Sequence, residues 1–238
     1  MRQKIRILLI LFVMLPLTIE AKKSIIVTEQ GDTVKYLHPK YNGITIGADL
    51  LSPIANLVGQ KYGNYELSID AAFYNRFFPV YEFGVSYADY TPDGSNYTYK
   101  LYPSFYNRVG LNYNIIYNKN VPGIFYVGLR YGFSFAKYEL TNISVSSPYW
   151  EVEQSGLSIP KSTSVAHWGE LLLGLRVKLY KGLMMGWAVR CKFVFADSQK
   201  GDARQWIVPG FGKRNSPLGV SFTINYRFAP KQKLNIRL

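Results

Sequence analysis

A chain of 238 residues, 48% of them apolar, is long enough to bury one sizeable β domain. Its one cysteine excludes an intramolecular disulfide framework, and one cysteine with two histidines gives no basis for a zinc site. The net charge of +13 would suggest nucleic acid in a cytosolic protein, but the N-terminus marks the chain for export, where lipid phosphates are the nearby anions and no nucleic-acid partner is expected.

Residues 1–21 read MRQKIRILLILFVMLPLTIEA, with basic Arg2, Lys4 and Arg6, an apolar core over 7–19 and small Ala21 before KKS. This is the pattern of a cleaved secretory signal peptide. The core is shorter than the roughly 17 to 25 residues of a spanning helix, and no cysteine follows it to carry a lipid anchor. Residues 22–42, with His38, read as a periplasmic lead-in, residues 43–229 as the folded domain, and residues 230–238 as a basic periplasmic tail.

Eight segments of the domain alternate with a period of two, the signature of strands with two unlike faces. In the first, Ile44, Ile46, Ala48 and Leu50 oppose Gly43, Thr45, Gly47 and Asp49. Tyr65, Leu67, Ile69, Ala71 and Phe73 then oppose Glu66, Ser68, Asp70 and Ala72, and Tyr81, Phe83, Val85 and Tyr87 oppose Glu82, Gly84, Ser86 and Ala88. The fourth segment sets Phe105, Val109, Leu111 and Tyr113 against Tyr106, Arg108, Gly110 and Asn112, with Asn107 an exception on the apolar face. The fifth is GIFYVGLRYGFSF at 123–135, where Arg130 shares its face with Gly128, Gly132 and Ser134. In the last three, the faces opposite Leu171 and Leu173, Val189 and Cys191, and Val220 and Phe222 carry Glu170 and Arg176, Arg190 and Lys192, and Arg227.

Connections after the second, fourth and sixth segments read as short (78–79, 118–122, 180–182), those after the third, fifth and seventh as long (89–99, 139–165, 196–217), and the first, near 59–64, as intermediate. The expected fold is therefore an all-β, eight-stranded antiparallel transmembrane β-barrel with short periplasmic turns and long extracellular loops. A lipocalin-like soluble barrel also alternates, but here the apolar faces hold large Phe, Trp, Tyr and Leu side chains while the opposite faces use small residues, as a narrow lumen requires. Several of the twenty tyrosines fall near strand ends, as membrane-interface girdles do. Parity sends Asp49, Glu66, Asp70, Arg76, Glu82, Arg108, Arg130, Glu170, Arg176, Arg190 and Arg227 into the lumen, together with Lys178 and Lys192. An eight-stranded barrel is just wide enough for side chains to fill, so these charges are expected to pair across the interior and plug it.

Several stretches, taken in order, resemble one family: YNRFFPVYEFG (74–84), YADYT (87–91), SFYNRVGLNYN (104–114), LRYGFSFAKY (129–138), AHWGELLLG (166–174), MGWAVRCK (185–192) and QWIVPGFGK (205–213). They are similar to the small outer-membrane barrels of Bacteroidales-type bacteria grouped as domain of unknown function 6048. The resemblance implies the same barrel and brings no activity and no catalytic residues.

Some small outer-membrane barrels deacylate lipid A with a His-x-Ser pair and a nearby Glu. Here His167-Trp168-Gly169-Glu170 has Gly169 in the serine's place, which leaves only a serine of another strand, Ser134 or Ser144, as a substitute nucleophile. PGFGK at 209–213 has a phosphate-loop flavour, but Arg214 stands where a hydroxyl residue is needed. In the last long loop Trp206, Pro209, Phe211 and Lys213 form either a binding surface for an extracellular glycan, lipid or protein, or a lid folded onto the barrel mouth. The expectation is a monomeric, non-enzymatic outer-membrane protein with a structural or surface-interaction role, contacting outer-membrane lipids and needing no cofactor or metal. A lipid-modifying enzyme and a small pore are the alternatives.

Overall fold

Strands that alternate in this way have one face to bury and two edges to pair, and a closed ring meets both needs. The computed structural model describes residues 40–92, 94–119, 121–147, 152–198 and 205–230. Eight strands form one antiparallel sheet: β1 (Tyr41–Asp49), β2 (Tyr62–Phe73), β3 (Phe77–Tyr90), β4 (Thr98–Asn114), β5 (Gly123–Ser147), β6 (Val152–Tyr180), β7 (Leu183–Asp197) and β10 (Leu218–Phe228). The order β1-β10-β7-β6-β5-β4-β3-β2 closes as a barrel, because β1 pairs with both β2 and β10. The all-β, eight-stranded antiparallel architecture is the one the alternation predicts. A small hairpin, β8 (Ile207–Val208) with β9 (Gly212–Lys213), and one short helix, α1 (Leu51–Leu57), complete the described elements.

By its contacts the chain divides into Leu37–Tyr117 with Gly123–Leu238, which holds every element above, and Met1–Tyr36 with Asn118–Pro122, almost all of which lies outside the described residues. The expected signal peptide at 1–21, nearly all of the lead-in at 22–42 and the tail beyond residue 230 also lie outside them.

Side-chain facing follows parity. Along β5, Ile124, Tyr126, Arg130, Ser134 and Ala136 are buried, while Leu129 is 62% exposed and Tyr131 and Phe135 face outward between them. Small inward residues make room for large ones across the lumen: a Cβ on Gly132 would lie 2.2 Å from the Trp168 ring, and one on Gly84 2.2 Å from the Tyr106 ring. Phe222 departs from its outward assignment in exposure: it is buried, its ring 5.5 Å from that of Trp187. Lys178, expected in the lumen, is exposed near the end of β6.

Three connections differ from their sequence reading. The chain reverses at Tyr74 and Asn75 (φ 52° and 51°), not at 78–79, and the bond from Arg76 N to Phe73 O at 2.9 Å closes a type I′ turn. Pro79 lies inside β3, where the β2–β3 ladder lapses between Asp70↔Val80 and Phe73↔Phe77 and no proline N–H is needed. The span 139–165 is no loop, because β5 and β6 stay paired as far as Ser147↔Val152. Between β1 and β2, α1 starts without a side-chain N-cap bond, and Asp49 Oδ1 accepts from Leu51 N at 3.2 Å and Phe222 N at 3.1 Å, fixing the helix entry to β10.

Candidate functional site

The barrel has a turn end, with the turns 74–76 and 181–182, residues 115–117, the start of β1 and the end of β10, and a loop end with 50–61, 91–92, 94–97, the paired ends of β5 and β6 and 205–217. Between them the lumen is filled in three levels.

At the loop end the β8–β9 hairpin enters the mouth. Its tip, Val208-Pro209-Gly210-Phe211, is a tight turn in which Phe211 N donates to Val208 O at 3.0 Å. Gly210 takes φ +76°, the conformation a type II turn demands after proline, and a Cβ there would meet the Tyr106 ring at 2.4 Å. A buried loop must satisfy its backbone, and the lumen supplies partners for this one. Gly210 N donates to Ser86 Oγ at 3.1 Å, Arg108 donates to Gly210 O at 3.4 Å, Lys192 Nζ to Phe211 O, and Tyr99 OH to Ile207 O at 3.2 Å. Phe211 stands edge-on to Trp168 at 6.2 Å, and Trp206 packs among Tyr62, Tyr90 and Tyr99. Of the four residues expected to bind an extracellular ligand, Pro209 and Phe211 are therefore buried, Trp206 is half-buried, and only Lys213 is exposed, its ammonium 5.1 Å from the Trp206 ring centroid. The arrangement is that of a lid.

The middle level is an ion cluster of three carboxylates and three guanidiniums. Arg108 contacts all three acids: Glu66 at short range, Glu82 at 2.7 Å and Glu170 at 3.1 Å. Arg190 reaches Glu170 at 2.9 Å, Glu82 at 3.1 Å and Glu66 at 3.6 Å, and Arg130 reaches Glu82 at 3.2 Å. Two neutral donors complete the shell, Trp168 Nε1 to Glu170 at 2.7 Å and Tyr106 OH to Glu66 at 2.7 Å. All six charged side chains are buried, so removal of any one strands an opposite charge, typically at a cost of about 3–5 kcal/mol. Neither Tyr106 nor Trp168 belongs to the charged set that parity assigns to the lumen, although inward parity opposite Gly84 and Gly132 is a usable signal for both.

At the turn end Asp70 pairs with Arg176 at 2.5 Å above a buried cluster of Ala72, Phe78, Ile124 and Tyr126. Arg227 lies over Phe78 and donates to Thr45 Oγ1 at 3.4 Å. Two residues expected in one network stand apart from it. Asp49 serves backbone N–H groups at the loop end, and Arg76 sits in the β2–β3 turn against Phe77, Tyr113 and Tyr117, because residue 76 belongs to the turn and not to a strand.

His167 is on the outer wall, stacked on Tyr131 with Nδ1 2.8 Å from its hydroxyl. Ser134 faces the lumen, on the other side of the sheet from His167, so it cannot replace the missing nucleophile. Among the described residues no group of three or more His, Cys, Asp or Glu could hold a metal ion.

One family model, described as Domain of unknown function (DUF6048), matches residues 2–233. No curated protein matches the chain.

Proposed function

The chain belongs to the DUF6048 family, whose description carries no activity, and from its own architecture we propose that it is a monomeric, non-enzymatic outer-membrane β-barrel. The observation that carries this reading is the inversion of polarity across the sheet. One hoop of cross-strand neighbours, Pro79, Leu111, Leu129, Leu171, Cys191 and Leu218, faces outward through six strands. The next hoop, Val80, Gly110, Arg130, Glu170 and Lys192, faces inward and holds charge. Leu129, Leu171, Val189, Phe193, Leu218 and Val220 are all exposed, an apolar wall that water disfavours and hydrocarbon accepts.

The unequal connections support an orientation with the turn end in the periplasm and the loop end outside, and the basic, tyrosine-rich rims suit lipid headgroups. A role in surface structure or interaction follows from what the loop end offers, namely the β5–β6 ribbon and exposed Lys213. The filled lumen disfavours a pore, and His167 without a serine disfavours lipid hydrolysis.

The test is a single substitution in the protein refolded into lipid vesicles. Leu129→Arg is expected to lower the unfolding free energy by about 2–4 kcal/mol, the cost of a charge near the bilayer midplane. A barrel that lives in water would accept Leu129→Arg without loss and fail to insert, and that result would refute the membrane reading.

A further inference from the structure

The turn-end level carries a positive charge that its own side chains leave unbalanced. The three acids of the middle level are taken by Arg108, Arg130 and Arg190, and Asp70 is taken by Arg176. Arg227, half-buried, makes no ion pair within 4 Å among the described residues; its contacts are Thr45 Oγ1 and the face of Phe78, and Asp70, already paired with Arg176, attracts it only at longer range. The two guanidiniums share one floor. Arg176 lies 5.5 Å from the ring centroid of Tyr126 and Arg227 5.6 Å from that of Phe78, and both rings belong to the same buried cluster. Register sets Asp70, Thr45 and Arg227 side by side on β2, β1 and β10, and puts Asn112 beside Phe78. Asn225 joins them, because a Cβ on Gly186 would lie 3.1 Å from Asn225 Nδ2 and 3.3 Å from Arg176 Cγ.

These side chains also hold half of the buried side-chain polar atoms that lack a hydrogen-bond partner among the described residues. The donors are Arg176 Nε, Arg227 Nη2 and Asn112 Nδ2, and the acceptors are Asp70 Oδ1, Asn112 Oδ1 and Asn225 Oδ1. Asn112 is 1% exposed and Asn225 2%, so bulk water does not serve them. Buried N–H groups of a guanidinium are costly without an acceptor, and an uncompensated buried charge is costlier still. One bound monovalent anion answers both needs.

We propose that the turn-end level is a binding site for a single small monovalent anion of the chloride class, held by Arg227 and Arg176 with Asn112 as a third donor. The orphan acceptors require protons, so ordered water completes the anion's shell and bridges it to Asp70 and Asn225. Asp70 keeps the site from taking a multivalent anion by leaving only one net positive charge on the level. The site is internal to the barrel and does not depend on what surrounds the outer wall.

The test uses the full mature chain refolded in neutral detergent and unfolded with urea, in sodium chloride or sodium gluconate at equal ionic strength. Above the dissociation constant, each tenfold rise in chloride is expected to raise the folding equilibrium constant about tenfold, with no such rise in gluconate. Arg227→Met, which keeps length and removes charge and donors, is expected to abolish the response. Should that variant not fold, wild-type crystals grown in bromide decide the matter, with an anomalous peak expected at hydrogen-bond distance from Arg227 Nη2. Equal stability in the two salts, a chloride response that survives in Arg227→Met, or no bromide peak at this level would each overturn the proposal. A bromide peak with no chloride response in solution would identify an adventitious ion only, and would overturn it too.

Discussion

Two spans that read alike in the sequence, 139–165 and 196–217, end in opposite environments. The first remains paired as a ribbon and continues past the ends of both neighbours, since the last β4 partner of β5 is Thr141 and β7 pairs with β6 only from Ala166. The second turns back into the barrel and buries Ile207, Val208, Pro209 and Phe211. Two requirements separate them. The inward span concentrates apolar side chains on a hairpin short enough to enter the mouth, and the lumen supplies donors for the carbonyl groups that the hairpin carries in. The ribbon satisfies its backbone by pairing with itself; at its base Leu140 is buried and Ile143 and Ile159 pack on the cluster that holds Ile207, while Leu157 is 43% exposed.

The contrast can be broken most forcefully at the hairpin tip. Phe211→Ala should cost about 3–5 kcal/mol, the range for truncating a buried phenylalanine, when unfolding is followed in detergent. A loss under 1 kcal/mol would mean that the hairpin does not stay in the mouth. Gly210→Ala should cost less, about 1–3 kcal/mol, from a left-handed backbone imposed on alanine and a methyl group pressed on Tyr106. The same assay reads it, and a neutral result would place the turn elsewhere. At the small end, Leu157→Ser in the ribbon should stay within about 0.5 kcal/mol, as surface substitutions do. A larger loss would show that Leu157, too, packs against something.

Strand parity was legible because each face has a single solvent, so one sign of hydropathy per face suffices; Arg130 between Leu129 and Tyr131 points inward as that rule requires. The rule lost accuracy where backbone geometry decides. Pro79 looked like a turn residue, yet the reversal fell at Tyr74-Asn75, since an aromatic residue in the left-handed region gives no compositional warning. The ribbon reads as a loop in the sequence because three register shifts between Tyr138 and Val145 interrupt its alternation. At the site, the charged residues could be sorted by face but not by partner. Glu66, Glu82 and Glu170 come from three strands, and only the folded ring brings them to Arg108 and Arg190. Arg76 illustrates the limit, since its position shifts from lumen to turn when the reversal moves by a few residues.

The seam between β1 and β10 also bears on how the chain reaches this state. Thr45 meets Arg227 across 182 residues of sequence, so the ring cannot shut until β10 has been made. Closure entropy must be met before that contact repays it, which places the protein among slow folders dominated by non-local pairing. Until the seam forms, β1 and β10 each present a bare edge, and two such edges on different molecules can find one another as readily as they find themselves. A chain cut before Leu218 would never lose that exposure, because β7 would inherit an open edge in place of β10.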